Sequence, residues 1–555
     1  MDRRSTLRTL LGRAKPIFTP ENTQKTQITA SAGLTPYAGD WTALQATHLL
    51  RRVTFGPTKT QIQDAVNNGL DATIAEILAP APALAPPVNY DESDDPRVPI
   101  GSTWVDADYA NRALNGYRRR SLYAWQMEVL RNAGINIAEK MTLFWHNHFV
   151  IEGINDPKFV YHYIKSLRDN SLGNFKELVK MMTINPAMLR YLNGNQNTKR
   201  SPNENYAREL LELFSIGKGP QVGSGDYTNY TEEDILEISK ILTGWIDTGW
   251  FSNNGQQIGA MFRENQHDTS DKTLSARFNN AVIRNNGEQE YSDLIDVIFQ
   301  QEEVARFIVR KFYRYFIYYN IDEDIEQNII EPLAQQMIAA DFEIKPVIET
   351  LLKSEHFFQV GCIGCMIKNP IDFAIGILRQ FDVSPIQNDL DVRYTTWLRI
   401  FYSIRDMQMG YFLPPNVAGW KAYYQQPQYY RTWIGSATLV ARSNFAKRMV
   451  TYGYNISGNR TEVDVLGYLE TLEMPSDVNM MIDELTELFL PQPISDEQKV
   501  YLKEALIQQL PDYEWTEEYI GYLDNPTDNR IVRSIQTKVE RFFTALLNMA
   551  EHQLS

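Results

Sequence analysis

Histidine is the side chain whose chemistry is easiest to place from sequence, because imidazole titrates near neutral pH and is the commonest metal ligand. The chain holds seven. Two of them, His146 and His148, close the run Glu139-Lys140-Met141-Thr142-Leu143-Phe144-Trp145-His146-Asn147-His148. Helical winding puts Glu139, Leu143 and His146 on one face and His148 opposite, with Met141, Phe144 and Trp145. An i,i+2 pair cannot share a metal from a regular helix, where neighbours are three or four residues apart. The two rings could converge only if the helix ended near residue 147, which Gly153 and Asp156-Pro157 allow. The segment is apolar nearly all round and should be buried, so a hydrogen-bonded core histidine is the competing reading. A third histidine, His267, stands beside Asp268 in a polar stretch.

The segment Pro202–Ile216 carries the second set of reactive groups. Tyr206, Ala207, Leu210, Leu211, Leu213 and Phe214 fill one arc of a helix, and Asn205, Arg208, Glu209 and Glu212 fill the other, with Glu204 at its edge. As a solvated face this arc would be laced by Glu204–Arg208–Glu212 pairs, each contributing only tenths of a kcal/mol. Turned inward, it would meet His146 and the loop of His267. In that arrangement Glu209 or Glu204 acts as base or ligand, Arg208 holds an anionic group, and His146, His148 and His267 are the candidates for a divalent metal or a proton. Glu139, Asn203, Asn205 and Asp268 would complete the binding shell. Oxygen and imidazole donors suit such a metal, and a carboxylate with a shifted pKa suits acid–base work. G-x-S-x-G, Walker A, H-E-x-x-H and the dinucleotide-binding glycine run are absent from the contexts that would support them.

These groups must be positioned by helices. The composition is ordinary for a globular protein, 43% hydrophobic and 22% charged. A net charge of -15 argues against nucleic acid as a partner. The tight basic run Arg118-Arg119-Arg120 reads as a solvated helix start, and the acidic run Asp91–Asp95 as part of a proline-rich surface loop over 80–99. Helical patterning runs from about Trp41 to the C-terminus, with capping boxes expected at Ser201, Thr231 and Ser495. It is interrupted by a long polar loop with a small β element near 250–290. The fold class is therefore mainly α: one large helical body, an irregular multi-helix bundle. Residues 1–40 are expected to be a flexible arm, 41–448 the helical core, and 449–555 C-terminal helices packed on it. The 30 tyrosines and 10 tryptophans belong mostly to the core, although the Tyr-rich stretch 423–430 would suit a contact surface. No run is apolar enough for a transmembrane helix. The start Arg3-Arg4-Ser5 resembles a twin-arginine export signal interrupted by Arg8, Arg13, Lys15 and Pro16. The two cysteines, Cys362 and Cys365, read as structural thiols or a local disulfide.

Several blocks recur together. They are Leu49-Leu50-Arg51-Arg52 with Thr54-Phe55-Gly56-Pro57, Glu139-Lys140-Met141 running into Phe144–Phe149, and Asn203–Leu213. Leu242-Thr243-Gly244-Trp245, His267-Asp268, and Pro414-Pro415-Asn416-Val417-Ala418-Gly419-Trp420 follow in order. The ordered set resembles the bacterial family catalogued as domain of unknown function 1800. The resemblance implies a helical, exported or envelope-associated protein, leaning periplasmic, and an exported partner of an alkaline-phosphatase- or sulfatase-like family. It implies no reaction, because the family carries no agreed activity. The sequence departs from the pattern at Phe214, where many relatives have His, and at Tyr411, where Gln is expected. Two functions stay open: a metal-dependent enzyme built on the residues named above, or a binding and assembly protein engaging a partner protein or an envelope polysaccharide.

Overall fold

Local capping chemistry marks where the helices begin. In the computed structural model, which describes residues 28–30, 33–91, 95–223 and 226–555, helix α1 (Ala43–Val53) starts at Thr42, whose side chain accepts the Leu44 N–H. Thr231 and Ser495 form the expected reciprocal capping boxes. Ser201 does not: the helix there begins at Glu204 and is capped by Asn203, whose side chain takes the Asn205 N–H. Asn203 wins because its own N–H is held by Asn197 and its side-chain amide by the Leu192 carbonyl. The twin-arginine-like start lies outside the described residues. Residues 28–30 and 33–40 are tied down, with Ala30 N–H on Asp324 and Tyr37 N–H on the Lys353 carbonyl.

The helices that matter for function are α2 (Leu114–Arg131), α3 (Ala138–His148), α4 (Pro157–Asp169), α5 (Glu204–Glu209), α6 (Glu232–Ile241), α7 (Glu290–Ile298), α8 (Glu302–Phe316), α9 (Pro370–Gln380), α10 (Leu390–Asp406), α11 (Ser436–Lys447) and α12 (Asn529–Asn548). Helix α5 runs straight into a π-helical turn over Leu210–Ser215. Strand content among the described residues is confined to two-stranded antiparallel hairpins. Two of these make the β element expected near 250–290: β1 (Trp245–Thr248) pairs with β2 (Gly259–Phe262), and β3 (Lys272–Thr273) with β4 (Val282–Ile283).

Burial follows helical periodicity. On α8, Val304, Ala305, Ile308, Val309, Phe312 and Phe316 face the core, while Arg306 and Arg310 pair outward with Glu331 and Glu326. Helix α3 is buried at every position except Asn147, as its apolar surround requires. Helix α1 is buried from Ala46 to Val53, arginines included. The turn after it meets α9 at close range: a Cβ on Gly56 would stand 2.8 Å from the Gly376 Cα, so neither backbone could approach with a larger residue there. The C-terminal segment returns to this region, where Ile367 bridges to Leu554 and Lys368 N–H donates to the Gln553 carbonyl. The basic run at the head of α2 is not solvated throughout. Arg118 is fully buried, with Nε on Asp95 at 2.7 Å and its remaining N–H groups on the Trp104, Ala107 and Asp108 carbonyls. The acidic run supplies its counter-charge from inside the fold, since Asp95 is buried too.

Candidate functional site

Each histidine singled out in the sequence has its own surroundings. His146 is fully buried. Tyr163 donates its hydroxyl proton to the Phe149 carbonyl, so His146 Nδ1 is the donor in its 3.1 Å bond to that hydroxyl. Tyr411 stacks on the ring at 5.6 Å and Trp420 meets it edge-on. Burial pushes the His146 pKa down to about 4, partly offset by the Tyr411 carbonyl. His148 points the other way. Its Nε2–H donates to the Phe214 carbonyl at 3.1 Å, and its Nδ1 accepts from Lys311 Nζ at 2.9 Å. Burial first, and then the Lys311 charge, hold its pKa far below the ordinary range. Lys311 also donates to the Leu213 carbonyl; desolvation brings its own pKa down to about 7. Both carbonyls end the π-helical turn, where main-chain acceptors lack partners within the helix and attract donors and positive charge.

His267 sits in a third place. Its Nδ1 bonds the Thr243 carbonyl at 2.9 Å and its Nε2 bonds Glu290 Oε1 at 2.8 Å. Lys272 donates to Glu290 Oε2 at 2.7 Å, and all three side chains are fully buried. Desolvation would raise the Glu290 pKa, but the hydrogen bonds from His267 and Lys272 outweigh it and hold the carboxyl below its usual value. Asp268 folds onto Ser270. Glu139 pairs with Arg168 inside the core, and burial raises its pKa in spite of that partner.

The polar arc of α5 faces α6 and water. Arg208 makes a two-pronged pair with Glu232, at 2.8 and 2.6 Å. Glu204 and Asn205 are exposed, and Glu209 is half-buried, its pKa raised by desolvation and then by Glu212. The ten predicted residues are thus not brought into one pocket. Both nitrogens of His148 and of His267 are already bonded, so neither ring has a lone pair for a metal. Among the described residues no group of three or more His, Cys, Asp or Glu is arranged to hold one. Of the three rings only His146 keeps a nitrogen, Nε2, without a partner among the described residues.

A different cavity has the features of a binding site. It measures about 30 Å³ and is lined by Arg51 and Arg52 of α1, Lys140 of α3, Arg314 of α8, Asp372 of α9, and the aromatic residues Tyr315, Tyr319, Tyr423, Tyr429, Tyr430 and Trp433. The Tyr-rich stretch expected as an outer contact surface thus turns three of its tyrosines inward. Lys140 reaches Asp372 and the Thr54 carbonyl. The other lining cations have no carboxylate within ion-pair distance among the described residues, although Glu326 attracts Arg314 from farther off. Arg52 Nη2 donates to the Cys362 carbonyl at 2.7 Å and to Cys365 Sγ at 3.2 Å; both thiols are free. Arg51 Nη2 donates to the Leu488 carbonyl at 2.9 Å, and Arg314 Nε to the Tyr319 carbonyl. Next to the cavity, Lys368 bonds the His552 carbonyl, while Arg442 bonds Gln553 and the Lys368 carbonyl. Arg51 Nε, Arg52 Nε and Nη1, and Arg442 Nε are buried without an acceptor among the described residues. The electrostatic cost registers as depressed pKa values: desolvation takes Arg51 to about 9 and Arg442 to about 10. Lys368 falls well below the ordinary lysine value through burial and then the nearby Arg51 charge.

The family comparison covers both regions. A family model described as a protein of unknown function (DUF1800) matches residues 48–554. The chain belongs to the DUF1800 family. No curated protein and no solved structure matches it. In this DUF1800 chain the recurring sequence blocks meet in space. Asn147, between the two histidines, accepts the Trp420 N–H, and a Cβ on Gly419 would stand 2.2 Å from its side-chain oxygen. The two departures fall beside the histidines, Tyr411 on His146 and the Phe214 carbonyl on His148. Arg51, Arg52 and Lys140 lie in the blocks but were not read as site residues; Lys368, Asp372 and Arg442 lie in none. A signal was present. No acidic residue stands within four positions of Arg51-Arg52 in the apolar run Leu49–Val53, so any counter-charge had to come from elsewhere.

Proposed function

We propose that this DUF1800 chain is a binding protein whose ligand carries negative charge into the cavity lined by Arg51, Arg52 and Arg314. The observation that carries this reading is the set of guanidinium groups held there with no carboxylate at ion-pair distance among the described residues. A buried unpaired charge is costly, and arginine cannot escape the cost by losing its proton at neutral pH. A site that keeps such groups waits for a counter-charge, and guanidinium is the side chain best matched to oxyanions. The binding reading is favoured over metal-dependent catalysis because His148 and His267 have both ring nitrogens in hydrogen bonds, Glu139 and Arg208 are held in ion pairs, and the one candidate ring nitrogen without a partner among the described residues, His146 Nε2, stands apart from them.

The test is thermal unfolding of the full chain in rising phosphate, sulfate or acetate, at constant ionic strength set with sodium chloride. Binding to the folded state predicts a saturable rise in Tm, corresponding to roughly 2.7 kcal/mol at a hundredfold excess over Kd. A Tm that follows ionic strength alone, whichever anion is present, would reject the reading.

A further inference from the structure

The number and placement of the unpaired cations say more about the ligand than its sign. Resting on the binding reading above, we infer that the group entering the cavity is a multivalent tetrahedral oxyanion of the phosphate or sulfate class, not a carboxylate. Lys140 and Asp372 neutralise each other. That leaves three guanidinium groups lining the cavity, from Arg51, Arg52 and Arg314. A carboxylate brings one negative charge to three fixed positive ones and leaves most of the field unanswered; a dianion answers the larger part. Arg442 alongside adds positive potential in the same sense. Charge-assisted hydrogen bonds to such an anion are the strong ones.

Geometry points the same way. Arg51 and Arg52 come from α1 and Arg314 from α8, so donors approach from separate elements. A tetrahedral group offers acceptor oxygens in several directions, whereas a carboxylate offers two in one plane. Arg51 Nε and Arg52 Nε and Nη1 are the buried lining donors still without an acceptor. The cavity, at about 30 Å³, exceeds the roughly 10–15 Å³ that one water needs, and it has room for one small group but not for a whole substrate. Any organic part of the ligand would lie outside it.

The experiment is isothermal titration of the full chain with sodium phosphate, sodium sulfate, sodium acetate and phenyl phosphate, at one ionic strength. Phosphate and sulfate should bind at least tenfold more tightly than acetate. A phenyl phosphate affinity above that of inorganic phosphate would identify an ester ligand, and an equal affinity a free anion; both support the inference. Arg52→Gln should weaken phosphate binding roughly tenfold or more, the loss of one charge-assisted bond, with Tm close to the parent value. Should that variant fail to fold, Arg314→Gln nearer the surface gives the same readout. Acetate binding as tightly as phosphate would overturn this inference and leave the binding reading standing. No binding of any anion would overturn both.

Discussion

Around His267 every charge is answered. Glu290 takes a hydrogen bond from His267 on one oxygen and from Lys272 on the other, and the Asn286 N–H adds to the first. Around Arg51 and Arg52, equally deep in the same fold, cations lean on neutral carbonyls and several N–H groups bond to nothing. The first cluster has the residue types associated with catalysis and the connectivity of a structural clamp. The second has the residue types of a surface patch and the connectivity of a site. Residue type alone therefore misleads here; the unspent hydrogen-bonding capacity separates the two.

Mutations can break this contrast in a definite order. Removing the shared carboxylate by Glu290→Ala leaves Lys272 and His267 buried with main-chain acceptors but without a counter-charge, and should cost ~3–5 kcal/mol in denaturant unfolding while leaving anion affinity unchanged. Next in size is a pH effect at His146. Its pKa is about 4 in the folded chain against an ordinary 6.5, so the unfolded state binds the extra proton first as pH falls. Stability should decline from pH 6.5 towards pH 4 with a slope of at most ~1.4 kcal/mol per pH unit from this group, and His146→Phe should flatten that limb in a comparison of pH-dependent melts. Arg208→Ala should cost only ~0.5–1 kcal/mol, because its pair with Glu232 is partly exposed; a loss of several kcal/mol would show that the arc of α5 is not a surface after all. The smallest expected change in stability sharpens the comparison most. Arg52→Met gives up the bond to the Cys362 carbonyl but also removes a buried charge, so unfolding should shift by less than ~1 kcal/mol, while phosphate binding is lost.

The helical class and the hairpins near 250–290 were legible because they depend on local periodicity and turn chemistry. So were the divergence of His146 from His148 and the caps at Thr231 and Ser495. The Ser201 cap was misplaced because Asn203 is selected by partners outside the helix, the Asn197 side chain and the Leu192 carbonyl, which no capping pattern encodes. Arg118 looked solvated because its acceptors come from three carbonyls and from Asp95, over twenty positions away. The cavity was hidden for the same reason on a larger scale: Arg51, Lys140, Arg314 and Asp372 are separated by tens to hundreds of residues, and only the tertiary fold makes them neighbours. Periodicity predicts which face a residue takes, and it is silent about what that face meets.

The π-helical turn over Leu210–Ser215 has a consequence for chain length. Ile216 N–H reaches back five residues to the Leu211 carbonyl, so this turn holds more chain than an α-helical turn would. It behaves as a built-in spacer. Removing one residue would let the turn close as ordinary α-helix with the downstream chain keeping its face, but it would shift the Leu213 and Phe214 carbonyls away from Lys311 and His148. Among relatives, a change in loop length here would matter as much as a change of side chain.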